Sequence, residues 1–297
     1  MPESQHQRLV EDLTSEGGVI MLLGAPDTGK SSFARRLLES VVAAGKQGAY
    51  IDADVGQTTV GPPTCVGLKW VRSTTDLQHL SEADDLRFVG SISPKHLVLQ
   101  EVIATASLVE QARDQVDIIV IDTTGAVSGV TGQTLKFHKL ELCRPTVLVA
   151  LQRGSEIEPI VGMARRFFSA DARIAGVLPD IAPLSPTERS AHRTRAFGRA
   201  LAPPLHRWKV RPTVFAPSLP TGLDFNRLQN MLVGVHDGTG RCLGLGVLTV
   251  EGNDRLLVMT SVTDGMQGLR LASLRIDPET FETTPVNLRE VMFGLDG

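Results

Sequence analysis

Short apolar runs separated by stretches of helical spacing fill the first two thirds of the chain. Residues 19–23, Val-Ile-Met-Leu-Leu, form an uninterrupted apolar run, the pattern of a strand covered on both faces in a parallel sheet. Residues 31–44 carry apolar positions at helical spacing and end at Gly45, where a C-terminal cap belongs. Residues 49–51, 86–90, 117–122, 146–151 and 173–178 predict further strands, and residues 95–113 and 131–142 predict helices between them. Strands alternating with helices imply βαβ units and a doubly wound, mostly parallel α/β sheet.

The pattern changes after Pro203-Pro204 and Pro212. Residues 231–234, 242–250, 255–260 and 269–276 are short apolar runs broken by Asp-Gly and Gly-Asn pairs, which is antiparallel β signalling. The chain therefore reads as an N-terminal tail (1–16), an α/β domain (17–212) and a smaller β-rich module (213–297). No repeat or low-complexity tract interrupts it.

Between the first strand and the first helix stands Gly24-Ala25-Pro26-Asp27-Thr28-Gly29-Lys30-Ser31, followed by Ser32. This G-x-x-x-x-G-K-S string is the Walker A phosphate-binding loop of P-loop NTPases. Glycines let backbone N–H groups wrap phosphate oxygens, Lys30 would reach the β- and γ-phosphates, and Ser31 would ligate Mg²⁺. The helix that follows turns its positive end toward the same phosphates. An ATP site is expected.

Three further strand ends carry candidate chemistry. Asp52 and Asp54, in Ile51-Asp52-Ala53-Asp54-Val55-Gly56-Gln57, are two apart and would share a face if the strand continued. They suit Mg²⁺ coordination and a base for an attacking hydroxyl. Residues 117–122, D-I-I-V-I-D, have the shape of a Walker B strand whose Asp122 would hold Mg²⁺, and Thr124 and Gly125 follow in a small-residue loop. Phe88-Val-Gly-Ser91-Ile92-Ser93-Pro94 suits either a capped strand-to-helix turn or a substrate-contacting loop.

Composition narrows the field. The chain has 297 residues, 42% apolar and 21% charged, with a net charge of −3, which excludes a disordered protein or one that coats nucleic acid by bulk charge. Aromatics are 4%, too few for a broad base-stacking platform. Cys65, Cys143 and Cys242 form no C-x-x-C pair, no apolar run approaches a membrane span, and the polar N-terminus is unlike a signal peptide, so a cytoplasmic protein is expected. The charge is segregated: residues 160–211 hold ten Lys or Arg against three acids. Arg189 and Arg193 are four apart there, on one face of a predicted helix, as a cationic lid over a nucleotide (about 179–205) requires.

Taken in order, G-x-x-D-x-G-K-S, D-x-D-V-G-Q, F-V-G-S-x-S-P, D-T-T-G-x-V-x-G and R-S-x-x-R resemble the polynucleotide 5′-hydroxyl kinases. These include the kinases of eukaryotic pre-mRNA cleavage and of pre-ribosomal RNA processing, with archaeal and bacterial relatives. The resemblance spans residues 17–205 and extends loosely into the β module. It implies Mg²⁺-dependent transfer of the γ-phosphate of ATP to a 5′-hydroxyl end of RNA or DNA. By matching position, Lys30 and Ser31 bind phosphate and metal, Asp54 is the general base, Asp52 and Asp122 support the metal, and Arg189 and Arg193 act from the lid. Gln57, Ser91, Ser93, Thr124 and Gly125 would line the substrate site. A nucleotide-stacking Trp of the eukaryotic branch is Ala126 here, and a clasp position often held by Thr is Ile92. Two other readings fit the same loop: a nucleotide-dependent switch, against which no N-K-x-D string is present, and a non-catalytic ATP-binding scaffold.

Overall fold

In a computed structural model of the protein, residues 2–252 and 255–294 are described. The chain divides into two compact units, residues 1–61, 66–84 and 93–185 in the first and 62–65, 85–92 and 186–297 in the second.

The first unit opens with α1 (Pro2–Glu16), β1 (Gly18–Leu23), α2 (Lys30–Ala43), β2 (Gly48–Ala53), β3 (Cys65–Val71) and α3 (Thr74–Gln78). After β4 (Asp85–Phe88), which belongs to the second unit, it continues with α4 (Val98–Ala112), β5 (Ile118–Thr123), α5 (Gly129–Cys143), β6 (Val147–Gln152), α6 (Glu158–Phe167) and β7 (Asp171–Gly176). Its strands run β3-β2-β5-β1-β6-β7, parallel throughout except that β3 lies antiparallel to β2. In β1, Val19 to Leu23 are all buried, which is why the run is apolar without alternation. Helix α2 buries Phe33, Ala34, Leu37, Leu38 and Val41 along one stripe. It ends as the sequence predicts: Gly45 takes φ +72°, with Gly45 N donating to Val42 O and Lys46 N to Val41 O.

The second unit holds β4, α7 (Pro186–Ala200), β8 (His206–Lys209), β9 (Met231–His236), β10 (Cys242–Glu251), β11 (Arg255–Thr260), β12 (Gly268–Ile276), β13 (Thr283–Pro285) and α8 (Leu288–Phe293). An antiparallel sheet in the order β13-β12-β9-β10-β11-β8 forms its frame. Met231, Val233, Val235, Leu248, Val258 and Leu269 join one core cluster of this unit.

The architecture is the expected one, a mostly parallel α/β sheet and a separate antiparallel sheet, and three details differ. Residues 2–16 are a helix rather than a tail: Leu9, Val10 and Leu13 recur at helical spacing and enter the core of the first unit. Residues 65–71 form a strand that the pattern did not predict, because Lys69 interrupts its apolar run; the ammonium is satisfied by Asp84 at 3.2 Å. The division also falls earlier than residue 213. β8 pairs with β11, and Phe197 and Leu201 pack with Phe88, Leu232, Leu245 and Leu274, so the whole of α7 belongs with the antiparallel sheet.

Candidate phosphate-binding and catalytic site

The loop at residues 24–31 leaves β1 and enters α2 through Gly29, whose φ of +86° is the left-handed conformation that only glycine takes without strain. No side chain caps the first turn of α2, so its leading N–H groups remain available to an anion. Lys30 folds back on the loop, its Nζ donating to Gly24 O at 3.0 Å and Ala25 O at 2.9 Å. Thr28 Oγ1 donates to Ala25 O at 3.0 Å. Asp27 takes φ +56° and accepts from Leu184 N at 3.1 Å, while its carbonyl accepts from Arg153 at 2.6 Å. Asp27 therefore ties Leu184 to the loop, and Arg153, which also donates to Ile181 O at 3.3 Å, links that segment to the Asp27 carbonyl.

The strand ends bring the carboxylates to this loop. In the parallel register Leu22 of β1 lies opposite Asp122 of β5, and Asp122 opposite Asp52 of β2. Ser31 Oγ donates to Asp122 Oδ2 at 2.5 Å, and the hydroxyl of Tyr50, the only tyrosine of the chain, donates to the same oxygen at 3.0 Å. Asp122 Oδ1 is buried with no hydrogen-bond partner among the described residues. Burial raises the Asp122 carboxyl pKa, against the lowering effect of Lys30 and the Ser31 bond.

Asp52 and Asp54 do not continue one strand face. β2 ends at Ala53, and the chain turns around the Asp52 side chain: Oδ1 accepts from Asp54 N at 3.0 Å, and Oδ2 accepts from Thr59 N and from Val60 N at 2.9 Å. Both oxygens of Asp52 are thus taken up by backbone amides, and the residue organises the loop at 54–60. Burial, then the charge of Asp122, pushes its pKa up to about 8. Asp54 is half-buried, with Oδ1 accepting from Gly56 N at 3.1 Å and Gln57 N at 3.0 Å. Gln57 also bonds Gly56 O through its side chain at 3.0 Å.

The turn after β5 lies on the loop itself. A β-carbon on Gly125 would stand 2.8 Å from Pro26 Cα, so the two backbones touch. Of the remaining expected site residues, Thr124 is buried beside Gly125 and Ser93 is exposed, its hydroxyl accepting from Lys95 N at 3.3 Å. Ser91, Arg189 and Arg193 belong to the second unit. Ser91 is buried there; Arg189 and Arg193 are half-buried on α7, and Arg193 Nε has no hydrogen-bond partner among the described residues.

Residues 24–199 match the family described as mRNA cleavage and polyadenylation factor CLP1 P-loop, a stretch longer than half the chain. The protein belongs to this CLP1 P-loop family. A polyribonucleotide 5′-hydroxyl-kinase of Methanocaldococcus jannaschii is 27% identical, covering 87% of this chain and 87% of the relative. One of Pyrococcus horikoshii is also 27% identical, covering 82% of this chain and 81% of its own. The solved structure of Clp1p in complex with Pcf11p has the same fold, with a TM-score of 0.69 at 14% identity over 92% of this chain and 78% of that one. Among the described residues of this CLP1 P-loop protein, no helix is long and apolar enough to cross a membrane.

Four buried polar residues around the site belong to none of the sequence motifs: Tyr50, Glu101, Lys136 and Lys139. A signal was there. Lys136 and Lys139 stand three apart on the same helical stripe as Leu135, Leu140 and Cys143, where apolar residues belong.

Proposed function

We propose that the protein is a polynucleotide 5′-hydroxyl kinase that moves the γ-phosphate of ATP to the 5′-hydroxyl of an RNA or DNA end. The observation that carries this reading is the second carboxylate. Asp122 bonded to Ser31 is what any phosphate-loop enzyme needs, whereas Asp54, one residue beyond β2, is of use to a reaction with a hydroxyl acceptor. The kinase names of the archaeal relatives support the same assignment.

Mg²⁺ fits the residues present. Asp122 Oδ1 is buried and unpartnered, and Ser31 Oγ sits on the other oxygen of the same carboxylate. No group of three or more His, Cys, Asp or Glu forms a complete cage among the described residues, as expected for an ion that shares its shell with phosphate and water. When bound, the ion neutralises charge on the β- and γ-phosphate oxygens. Ser31 and Asp122 would hold it, and Asp52, engaged by backbone amides, stays outside that set.

The chain's own groups then divide the work. Lys30 exchanges the carbonyls of Gly24 and Ala25 for phosphate oxygens, and the first-turn amides of α2 bind the rest of the anion. Asp54 accepts the proton of the 5′-hydroxyl as its oxygen attacks the γ-phosphorus. The bond to the β–γ bridging oxygen breaks and ADP leaves. Gln57, Thr124 and Gly125 line the acceptor side, with Ser91 and Ser93 assigned to it by their motif. The Arg189-Ser-Ala-His-Arg193 motif assigns both arginines to the charge on the transferring phosphoryl group.

The test is incubation with γ-labelled ATP, Mg²⁺ and short 5′-hydroxyl RNA and DNA oligonucleotides. Label on the acceptor is expected. Phosphate release without an acceptor would make the protein a switch, and binding without turnover a scaffold; either result overturns the proposal.

A further inference from the structure

Lys136 and Lys139 on α5 and Glu101 on α4 are all fully buried. Lys139 Nζ donates to Glu101 Oε1 at 2.7 Å, while Glu101 Oε2 is buried without a partner among the described residues. As packing elements these groups are poor choices. A buried ion pair gains little or nothing over apolar side chains of the same size. Burial, and then the neighbouring Lys139, pushes the Lys136 pKa well below the ordinary lysine value, a cost that leucine or methionine would not incur.

What the two lysine nitrogens hold gives them a use. Lys136 Nζ donates to Thr123 Oγ1 at 3.0 Å and to the Thr124 carbonyl at 2.6 Å. Thr123 Oγ1 in turn donates to Leu22 O at 2.8 Å, the residue of β1 two positions before the loop begins. Lys139 Nζ reaches the carbonyl of Ala53 at 3.5 Å. Each lysine therefore grips a different strand end. Lys136 holds the end of β5 and the turn that touches Pro26, and Lys139 holds the last residue of β2, immediately before Asp54.

We propose that Lys136 and Lys139 are positioning residues, a buried two-lysine clamp that fixes the turn at 124–125 and the backbone at Asp54 against the phosphate loop. Transfer to the acceptor depends on the clamp far more than nucleotide binding does. Side chains on a single rigid helix thereby align two strand ends that are hydrogen-bonded neighbours in the sheet but carry different chemical roles. The inference rests on the kinase reading for the meaning of Asp54, but the clamp itself is a structural relationship that can be measured separately.

The test compares Lys136→Met with the paired change Lys139→Met/Glu101→Leu, which removes both members of the ion pair so that neither is left without the other. Leu135→Ala, on the same buried face, is the structural comparator. For each variant, kcat and KM are measured for transfer to a 5′-hydroxyl RNA oligonucleotide, with affinity for a fluorescent ATP analogue, thermal stability and amide hydrogen exchange. Both lysine variants are expected to lose kcat by about 30-fold or more, as misplacement of reacting groups does. Nucleotide affinity should stay within about threefold in the paired variant and fall by no more than about tenfold in Lys136→Met, whose turn packs on Pro26. Exchange should rise about tenfold at residues 124–126 in Lys136→Met and at 53–57 in the paired variant. Leu135→Ala should keep kcat within about threefold despite its lower stability. Either lysine variant that folds decides the matter: near-normal kcat, or a loss that Leu135→Ala reproduces, overturns the clamp. If the wild-type protein labels no acceptor, the kinase reading fails, and exchange alone judges the clamp. Unchanged protection at both strand ends would then overturn it, and raised exchange confined to them would uphold it.

Discussion

Gly125 packs against Pro26 so closely that an added β-carbon would lie 2.5 Å from the proline nitrogen. A turn from one strand end is thus held backbone to backbone on the phosphate loop of another. Gly125→Ala must part the two, because backbone atoms rather than a flexible side-chain tip would meet the new methyl. Affinity for ATP should fall about tenfold, equivalent to about 1.4 kcal/mol, in equilibrium binding with a fluorescent analogue. Wild-type affinity in that variant would show that the contact does not shape the loop.

Asp54 is expected to matter for chemistry and not for the nucleotide. Asp54→Ala should reduce labelling of a 5′-hydroxyl oligonucleotide by about a thousandfold, the scale of a lost general base. The same variant should bind ATP within about threefold of the wild type, since phosphates are held by the loop and α2. Strong residual labelling would remove Asp54 from the role of base.

Asp27 looks from its position in the motif like a phosphate-site residue, but its side chain bonds the amide of Leu184. Asp27→Ala should release that amide, at a cost of about 1 kcal/mol in stability. The readout is faster hydrogen exchange at Leu184. Asp27→Asn keeps an acceptor and tolerates the left-handed backbone, so its exchange should remain close to wild type. Equal protection in wild type and Asp27→Ala would show that the bond does not hold the segment.

His236 gives the second unit a pH dependence. Burial, then the charge of Arg270, lowers its pKa from 6.5 to about 4, and its Nε2 is buried without a hydrogen-bond partner among the described residues. The folded chain keeps the ring neutral where the unfolded chain would protonate it. Between pH 6.5 and about 4 the unfolded state therefore binds more protons, and stability falls as pH falls through that window. The loss should be on the order of 2 kcal/mol. His236→Phe keeps the edge-to-face contact with Phe88 and removes the titration, so its unfolding free energy should have a flatter acid slope. An identical slope in the two proteins would remove His236 as its source.

Much of this was legible in the chain, and the exceptions share a cause. β1, α2 and the Gly45 cap follow from apolar periodicity and one glycine, because both faces of β1 and one stripe of α2 are buried in the ordinary way. The loop residues 24–31 and Asp122 stand out in the sequence because the chemistry they suit requires a fixed local order. β3 was missed because a charged residue at 69 contradicts the pattern of a covered strand until Asp84 is seen beside it. Lys136, Lys139 and Glu101 were passed over for the same reason: charge on a helix normally marks its wet face, and only the fold shows that these three meet inside. Asp52 misled in another way. Its spacing from Asp54 suits a continuing strand, but its carboxylate ends the strand by collecting the amides of the loop that follows.

The second unit is assembled from pieces distant along the chain, and its antiparallel sheet needs them. Phe88 fills the space over Gly234 that any side chain there would occupy, and it is held by Arg270, which donates to its carbonyl at 2.9 Å and stacks at 5.7 Å from its ring. Ser273 grips Gly90 through both its amide and its hydroxyl. Residues 186–297 are therefore not a cassette. A recombination that replaced them with another module would discard the partners of Phe88 and Gly90 and strand a ring with no cavity to enter. A lineage carrying this arrangement can remodel the antiparallel sheet by substitution in place, but it inherits that sheet together with Phe88 and Gly90 as its packing partners.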